Sequence, residues 1–155
     1  MKHIGILPYF DQVVKYQKAN DYAVVPTKAD TLSAGDDLYA AILEPITIAP
    51  GETVKITTGL KIELPVGTFG AIFPRSGLAT KQGLALANTV GIIDASYRGE
   101  VIVALHNYSN TTRTIQPKDR IAQLIILPYF FGKYEEADSL SETERGEGGF
   151  GHSGT

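Results

Sequence analysis

The 155-residue chain has no cysteine, no tryptophan and one methionine. Without thiols it can have no disulfide framework, no thiolate nucleophile and no cysteine-ligated zinc, a usage that suits the reducing cytoplasm, or a host's cytoplasm for a viral protein. The three histidines, His3, His106 and His152, have no ligand spacing relative to one another. Long apolar runs are also missing. The longest, such as "IAQLIIL", are too short to span a bilayer, so no membrane partner is expected. "MKHIGILPYF" carries a lysine and a short apolar stretch, but Pro8 interrupts it and no small-residue cleavage site follows, so it reads as a first strand. An excess of positive charge is absent as well. The net charge is −3, and from Lys133 onward six acids face two bases, leaving 12 bases and 11 acids up to Gly132. Coating a nucleic acid needs a basic stripe, so no nucleic-acid partner is expected.

What remains is an ordinary globular composition, 43% hydrophobic and 20% charged, long enough for one core. Its dominant period is two. In "VKITTGLKIELP", Val54, Ile56, Thr58, Leu60, Ile62 and Leu64 fall on one side, and Lys55, Thr57, Lys61 and Glu63 alternate against them, predicting a half-buried strand pair kinked near Gly59. "EPITIAPGE", "TFGAIF", "EVIVALHN" and "DRIAQLIIL" predict further short strands, with turns at Pro50-Gly51, Pro65-Val66-Gly67 and Pro117-Lys118-Asp119. Only "GLATKQG" looks helical, for little more than one turn. Many short strands with turn signals about ten residues apart predict an all-β sandwich or jelly-roll-like β-barrel. "ILPYF" occurs at Ile6 and again at Ile126 with nothing matching around the two copies, a coincidence of strand ends. Hydrophobic residues nearly vanish after Gly132, so residues 1–132 are expected to form the β domain and residues 133–155 a mobile arm.

Four of the five arginines lie in stretches suited to anions: "PRSG" at Arg75, "DASYRGE" at Arg98, "DRIAQ" at Arg120 and "ERGEGG" at Arg145. The guanidinium fork matches phosphate oxygens, and "RSG" adds a hydroxyl and a flexible backbone donor at a strand-to-helix junction. A polar turn capped by Ser76 would look the same in isolation. In "GIIDASYRGE", Asp94 follows an apolar pair between Gly91 and Gly99, and so reads as the end of a buried strand entering a hairpin. It is either a turn-former or an acid placed with Tyr97 in a pocket to polarise a water. "SAGDDL" sets Asp36 beside Asp37, either a solvated turn or a carboxylate holding Mg2+ through waters.

Taken in order, "SAGDDL", "PRSG", "NTVGIIDASYRGE", "RIAQLII" and "RGEGGFGHSGT" resemble the five motifs of the trimeric dUTP diphosphatase (dUTPase) family, over about four-fifths of the chain. The resemblance implies a jelly-roll-like β-clip fold, a homotrimer with active sites shared between subunits, and Mg2+-dependent hydrolysis of dUTP to dUMP and pyrophosphate. It assigns Asp94 to activating the water that attacks the α-phosphorus. Asn88 and the backbone of Gly91, Ile93 and Ile102 are assigned to reading the uracil edge, and Tyr97 to packing on deoxyribose. Arg75, Ser76, Gly77 and Gln123 would bind the phosphates, and Asp37, rather than Asp36, would reach Mg2+ through water. Arg98 and Arg120 are left outside the substrate contacts, as braces of neighbouring motifs or of the trimer interface. The second acid often found two residues after the catalytic one is Ser96 here, and His152 replaces a hydroxyl after "GFG".

The same resemblance makes the tail a lid. Ordering its last eleven residues costs on the order of 10 to 20 kcal/mol in backbone entropy, whereas stacking one ring on a base contributes about 1 to 3 kcal/mol. The tail is therefore expected to close only on a triphosphate, through Arg145, Gly151, Ser153 and Thr155, with Phe150 over the uracil. Two other classes stay in view. A dCTP deaminase or bifunctional deaminase-dUTPase of the same fold needs a glutamate acting on C4, and Glu100 is the only glutamate near the motif. A dUTP-binding regulatory protein, or a regulatory partner added to catalysis, fits the same nucleotide site.

Overall fold

A computed structural model describes residues 13–149. The expected first strand and Phe150, Gly151, His152, Ser153 and Thr155 lie outside the described residues. Ten strands form: β1 Lys15–Lys18, β2 Asp36–Tyr39, β3 Ile46–Ile48, β4 Thr53–Glu63, β5 Thr68–Phe73, β6 Leu84–Leu86, β7 Gly91–Ile93, β8 Glu100–Asn107, β9 Arg113–Ile115 and β10 Arg120–Pro128. One sheet has the order β1-β4-β8-β6, a second β2-β10-β5-β7, and β3 pairs with β9 in a ribbon, all neighbours being antiparallel. The two larger sheets share one core, with Ile56, Ile62, Val101, Val103 and Leu105 from the first and Leu38, Ile72, Ile121 and Leu124 from the second. The fold is all-β and jelly-roll-like, as expected, though the sheets do not close into a continuous barrel. A single π-helical turn, Leu78–Gln82, is the one helical element among the described residues. None is long and apolar enough to cross a membrane.

"VKITTGLKIELP" departs from expectation in an instructive way. It is one strand, not two. Its pairing with β8 slips between Thr57 and Lys61, which face Ile102 and Glu100, so β4 carries two more residues there than its partner. The surplus bulges at Gly59, whose φ of +66° and close approach to Ala23 and Asn20 leave no room for a side chain. Because two residues are added rather than one, Ile56, Leu60 and Ile62 stay on the buried face on both sides. Several of the bulge's polar groups are engaged. Thr58 Oγ1 donates to the Val101 carbonyl at 2.6 Å, and the Gly59 carbonyl accepts from Ala19 N–H at 2.7 Å.

Candidate active site

The register of β10 assembles the first cluster. Gln123 lies opposite Asp37 of β2 on one side and Phe73 of β5 on the other, a row across three strands that ends two residues before Arg75. Asp37 is 9% exposed, and both its oxygens are taken: Arg75 Nε lies 2.8 Å from Oδ1, and Arg120 Nη1 3.2 Å from Oδ2. Arg75 Nη1 also donates to the Arg120 carbonyl at 3.3 Å, and Arg75 Nη2 takes no part in these contacts. Gln123 Nε2 donates to the Pro74 carbonyl at 3.0 Å, and a Cβ at Gly35 would strike the Gln123 amide, so the glycine of "SAGDDL" lets its loop lie against β10. Ser76 and Gly77 follow Arg75 at the entry to the helical turn, where the Arg75 carbonyl accepts from Ala79 N–H at 3.0 Å. Asp36 instead pairs with Lys28 at 3.2 Å.

The sequence leaves Asp37 as either a solvated turn residue or a carboxylate reaching Mg2+ through water. The structure gives it two guanidinium partners, so its immediate work is to fix Arg75 and Arg120. Arg120 is thereby the brace that was expected. Arg98 is another, its Nη1 donating to the carbonyls of Ala95 at 2.6 Å and Tyr97 at 2.9 Å.

The second cluster lies between β7 and β8. The expected hairpin does not form: β7 pairs with β5 in one sheet and β8 with β4 and β6 in the other, so Asp94–Gly99 is a crossing between sheets. Nor is Asp94 buried. It is exposed, and its carbonyl accepts from Tyr97 N–H at 3.0 Å in the crossing turn. The divergence of the two strands opens a cleft of about 250 Å³ lined by Ile72, Asn88, Gly91, Ile92, Ile93, Asp94, Tyr97, Glu100 and Ile102. All five residues expected at the base and sugar are in this wall, with Asp94 beside them. Ile72, Ile92 and Glu100 are additions that alternation alone could have supplied: Glu100 and Ile102 share the outward face of β8. Ordinary ligand pockets run to about 300 to 1,000 Å³, so this cleft suits one end of a ligand. Asp94 also borders a wider depression of about 750 Å³ with Val66, Phe69, Ile92, Arg98 and Tyr129.

Strand β5 separates the clusters. Ile93 faces Gly70, so Asp94 falls beside Phe69, whereas Arg75 lies six residues further on. The strand runs four residues from Phe69 to its end at Phe73, about 13 Å, and Arg75 follows beyond that end. Arg145 stands apart from both. Its Nε donates to the Gly148 carbonyl at 2.8 Å, and among the described residues every hydrogen bond made by 143–148 stays within that segment. Among the described residues no three His, Cys, Asp or Glu side chains gather to hold a metal.

The dUTPase family model matches residues 21–154. A deoxyuridine 5'-triphosphate nucleotidohydrolase of Desulfitobacterium hafniense is 49% identical over 142 residues, 91% of this chain and 94% of the relative. Among solved structures, the dUTPase of Staphylococcus bacteriophage 80alpha with dUPNHPP is similar with a TM-score of 0.85 at 26% identity, covering 92% of this chain and 99% of that one. A mutant dUTPase from phage phi11 of S. aureus, which coordinates a structural Mg(II) ion, shares the fold with a TM-score of 0.74 at 23% identity, over 82% of this chain and 97% of that one.

Proposed function

The chain belongs to the dUTPase family, and from that membership we infer that it hydrolyses dUTP to dUMP and pyrophosphate, clearing dUTP from the nucleotide pool and supplying dUMP for dTMP synthesis. The observation that carries this reading is the cleft, where Asn88, Gly91, Ile93, Asp94, Tyr97 and Ile102 converge on a space sized for one end of a nucleotide. A backbone donor along Gly91–Ile93 would meet the uracil O4 and repel the amino group of cytosine. A close wall leaves no space for the methyl of thymine, and Tyr97 packs where a 2'-hydroxyl would clash. Asp94, at the mouth, accepts a proton from a water whose oxygen attacks the α-phosphorus. The bond from that phosphorus to the bridging oxygen breaks, and pyrophosphate leaves. Arg75, Ser76, Gly77 and Gln123 hold the phosphates, and Arg145, Phe150, Gly151 and Ser153 close over them.

We place each site between copies of the chain. Asp94 falls beside one end of β5 and Arg75 follows the other end, a separation that favours the base end of one copy meeting the phosphate end of another in a homotrimer with shared sites. Mg2+ fits a site with no carboxylate cage among the described residues. The ion would arrive on the substrate's phosphates with most of its waters, and Asp37, held by two arginines, could touch only that water shell. When bound, the ion would neutralise charge on the leaving pyrophosphate.

A deaminase reading is disfavoured by Glu100, whose carboxylate is engaged by Thr57 Oγ1 and Gly59 N–H rather than aimed at a base. Pyrophosphate release measured with dUTP, dCTP, dTTP and UTP tests the proposal. Rapid release from dUTP alone is expected, and tight dUTP binding without release would favour a regulatory protein instead.

A further inference from the structure

We propose that Glu100 is a positioning residue that sets the base-reading wall by pinning the β4 bulge. Its side chain crosses from the outward face of β8 to β4, where Oε1 accepts from the Thr57 hydroxyl and, at 2.8 Å, from Gly59 N–H. That N–H belongs to a buried residue inside the bulge, and among the described residues its only other partner is Thr57 Oγ1 at 3.1 Å. At the other end of the same residue, the Glu100 carbonyl accepts from Tyr97 Oη at 3.0 Å. A Cβ at Gly99 would strike the Tyr97 ring, so the ring lies folded against the strand entrance. Glu100 thus ties three parts together: the bulge, the Tyr97 side of the cleft, and the start of β8, two residues before Ile102. Ile102 is paired with Thr57, the last regular pair before the slip. With the carboxylate gone, the bulge loses its tie to β8 and can shift, which would carry the strand end at Ile102 and the Tyr97 ring with it. A bulge beside a binding wall re-aims side chains in this way.

The consequence is a change in recognition rather than in the chemical step, and it rests on the dUTP reading of the cleft. Glu100→Ala is expected to raise KM for dUTP by about 5- to 10-fold, the weight of one lost hydrogen bond, to lower the preference for dUTP over dTTP, and to leave kcat nearly unchanged. Glu100→Gln keeps the acceptor oxygen and should stay close to wild type in both respects. Thr57→Val, which removes one tie, should shift KM in the same sense by less. Without nucleotide, the Gly59 amide should exchange its hydrogen faster in Glu100→Ala than in the wild type. Unchanged KM and unchanged dUTP-to-dTTP preference in a folded Glu100→Ala protein would overturn the proposal, as would a Gln variant as impaired as the Ala one. If wild type itself failed to release pyrophosphate from dUTP, the fault would lie with the reading of the cleft, and the exchange measurement would still decide whether Glu100 pins the bulge.

Discussion

The two ends of β5 solve opposite problems. At the Arg75 end the polar groups are finished before substrate arrives: Asp37 is buried and doubly paired, Gln123 is bonded to the Pro74 carbonyl, and the charges partly offset one another. At the Asp94 end they are unfinished. Asp94 and Tyr97 are exposed, and Ile92 and Ile102 show apolar surface to solvent. Holding several cationic groups ready for a polyanion requires an internal acid to limit their mutual repulsion, so that end must be braced within one chain. Under the proposed function, the Asp94 end would gain from being completed by a second copy, because a covering neighbour would exclude bulk water only when the site is assembled.

This contrast can be broken at either end. The largest effect is expected at Asp94: Asp94→Asn removes the base and keeps the shape, so kcat should fall by about 10³- to 10⁴-fold while dUTP binding, followed by calorimetry, stays near wild type. Turnover comparable to wild type would remove Asp94 from the chemistry. Arg75→Ala should cost about 10²- to 10³-fold in kcat/KM, the scale of one lost donor to developing charge. Mixing the two inactive variants by joint refolding sharpens the point. Shared sites in a cyclic assembly should recover about a quarter of wild-type activity, and sites confined to one chain should recover none.

Deleting residues from Arg145 onward should cut kcat/KM by about 10²-fold yet move Tm by no more than about 2 °C, because among the described residues, 143–148 make no hydrogen bond to the β sheets. A large drop in Tm would make the tail a structural strap instead. The smallest effect on rate, and the clearest on stability, belongs to Asp37→Asn. It keeps the volume and loses the charge between two arginines, so a destabilisation of about 1 to 3 kcal/mol and a Tm lower by about 2 to 12 °C are expected in thermal unfolding. No change in Tm would mean that the buried pairing braces nothing.

The strands were legible because burial on one face writes a period of two, and "EVIVALHN" places Val101, Val103 and Leu105 inward as the alternation demands. The bulge was half legible. Gly59 signalled a break, but the same alternation continues across it, so sequence could not tell a turn from a two-residue surplus. The hairpin at Asp94 failed for a different reason. Short strands flanking a turn look alike whether they pair with each other or with strands distant in sequence, and β7 and β8 take separate partners. Residue types at the site were readable one motif at a time, and the cleft brings the base-side residues together. The pairing of Asp37 with Arg75 was not readable, because it depends on the β2-β10-β5 register, which joins positions 38 residues apart in the chain.

The surplus at Gly59 also bears on how such a chain can change length. Removing one residue from β4 would turn every later side chain of the strand over, burying Lys61 and exposing Ile62. Removing two would leave the inward set intact and straighten the strand. The bulge is therefore the point in the β domain where an evolutionary deletion could pass unnoticed by the core and be felt only by the ligand.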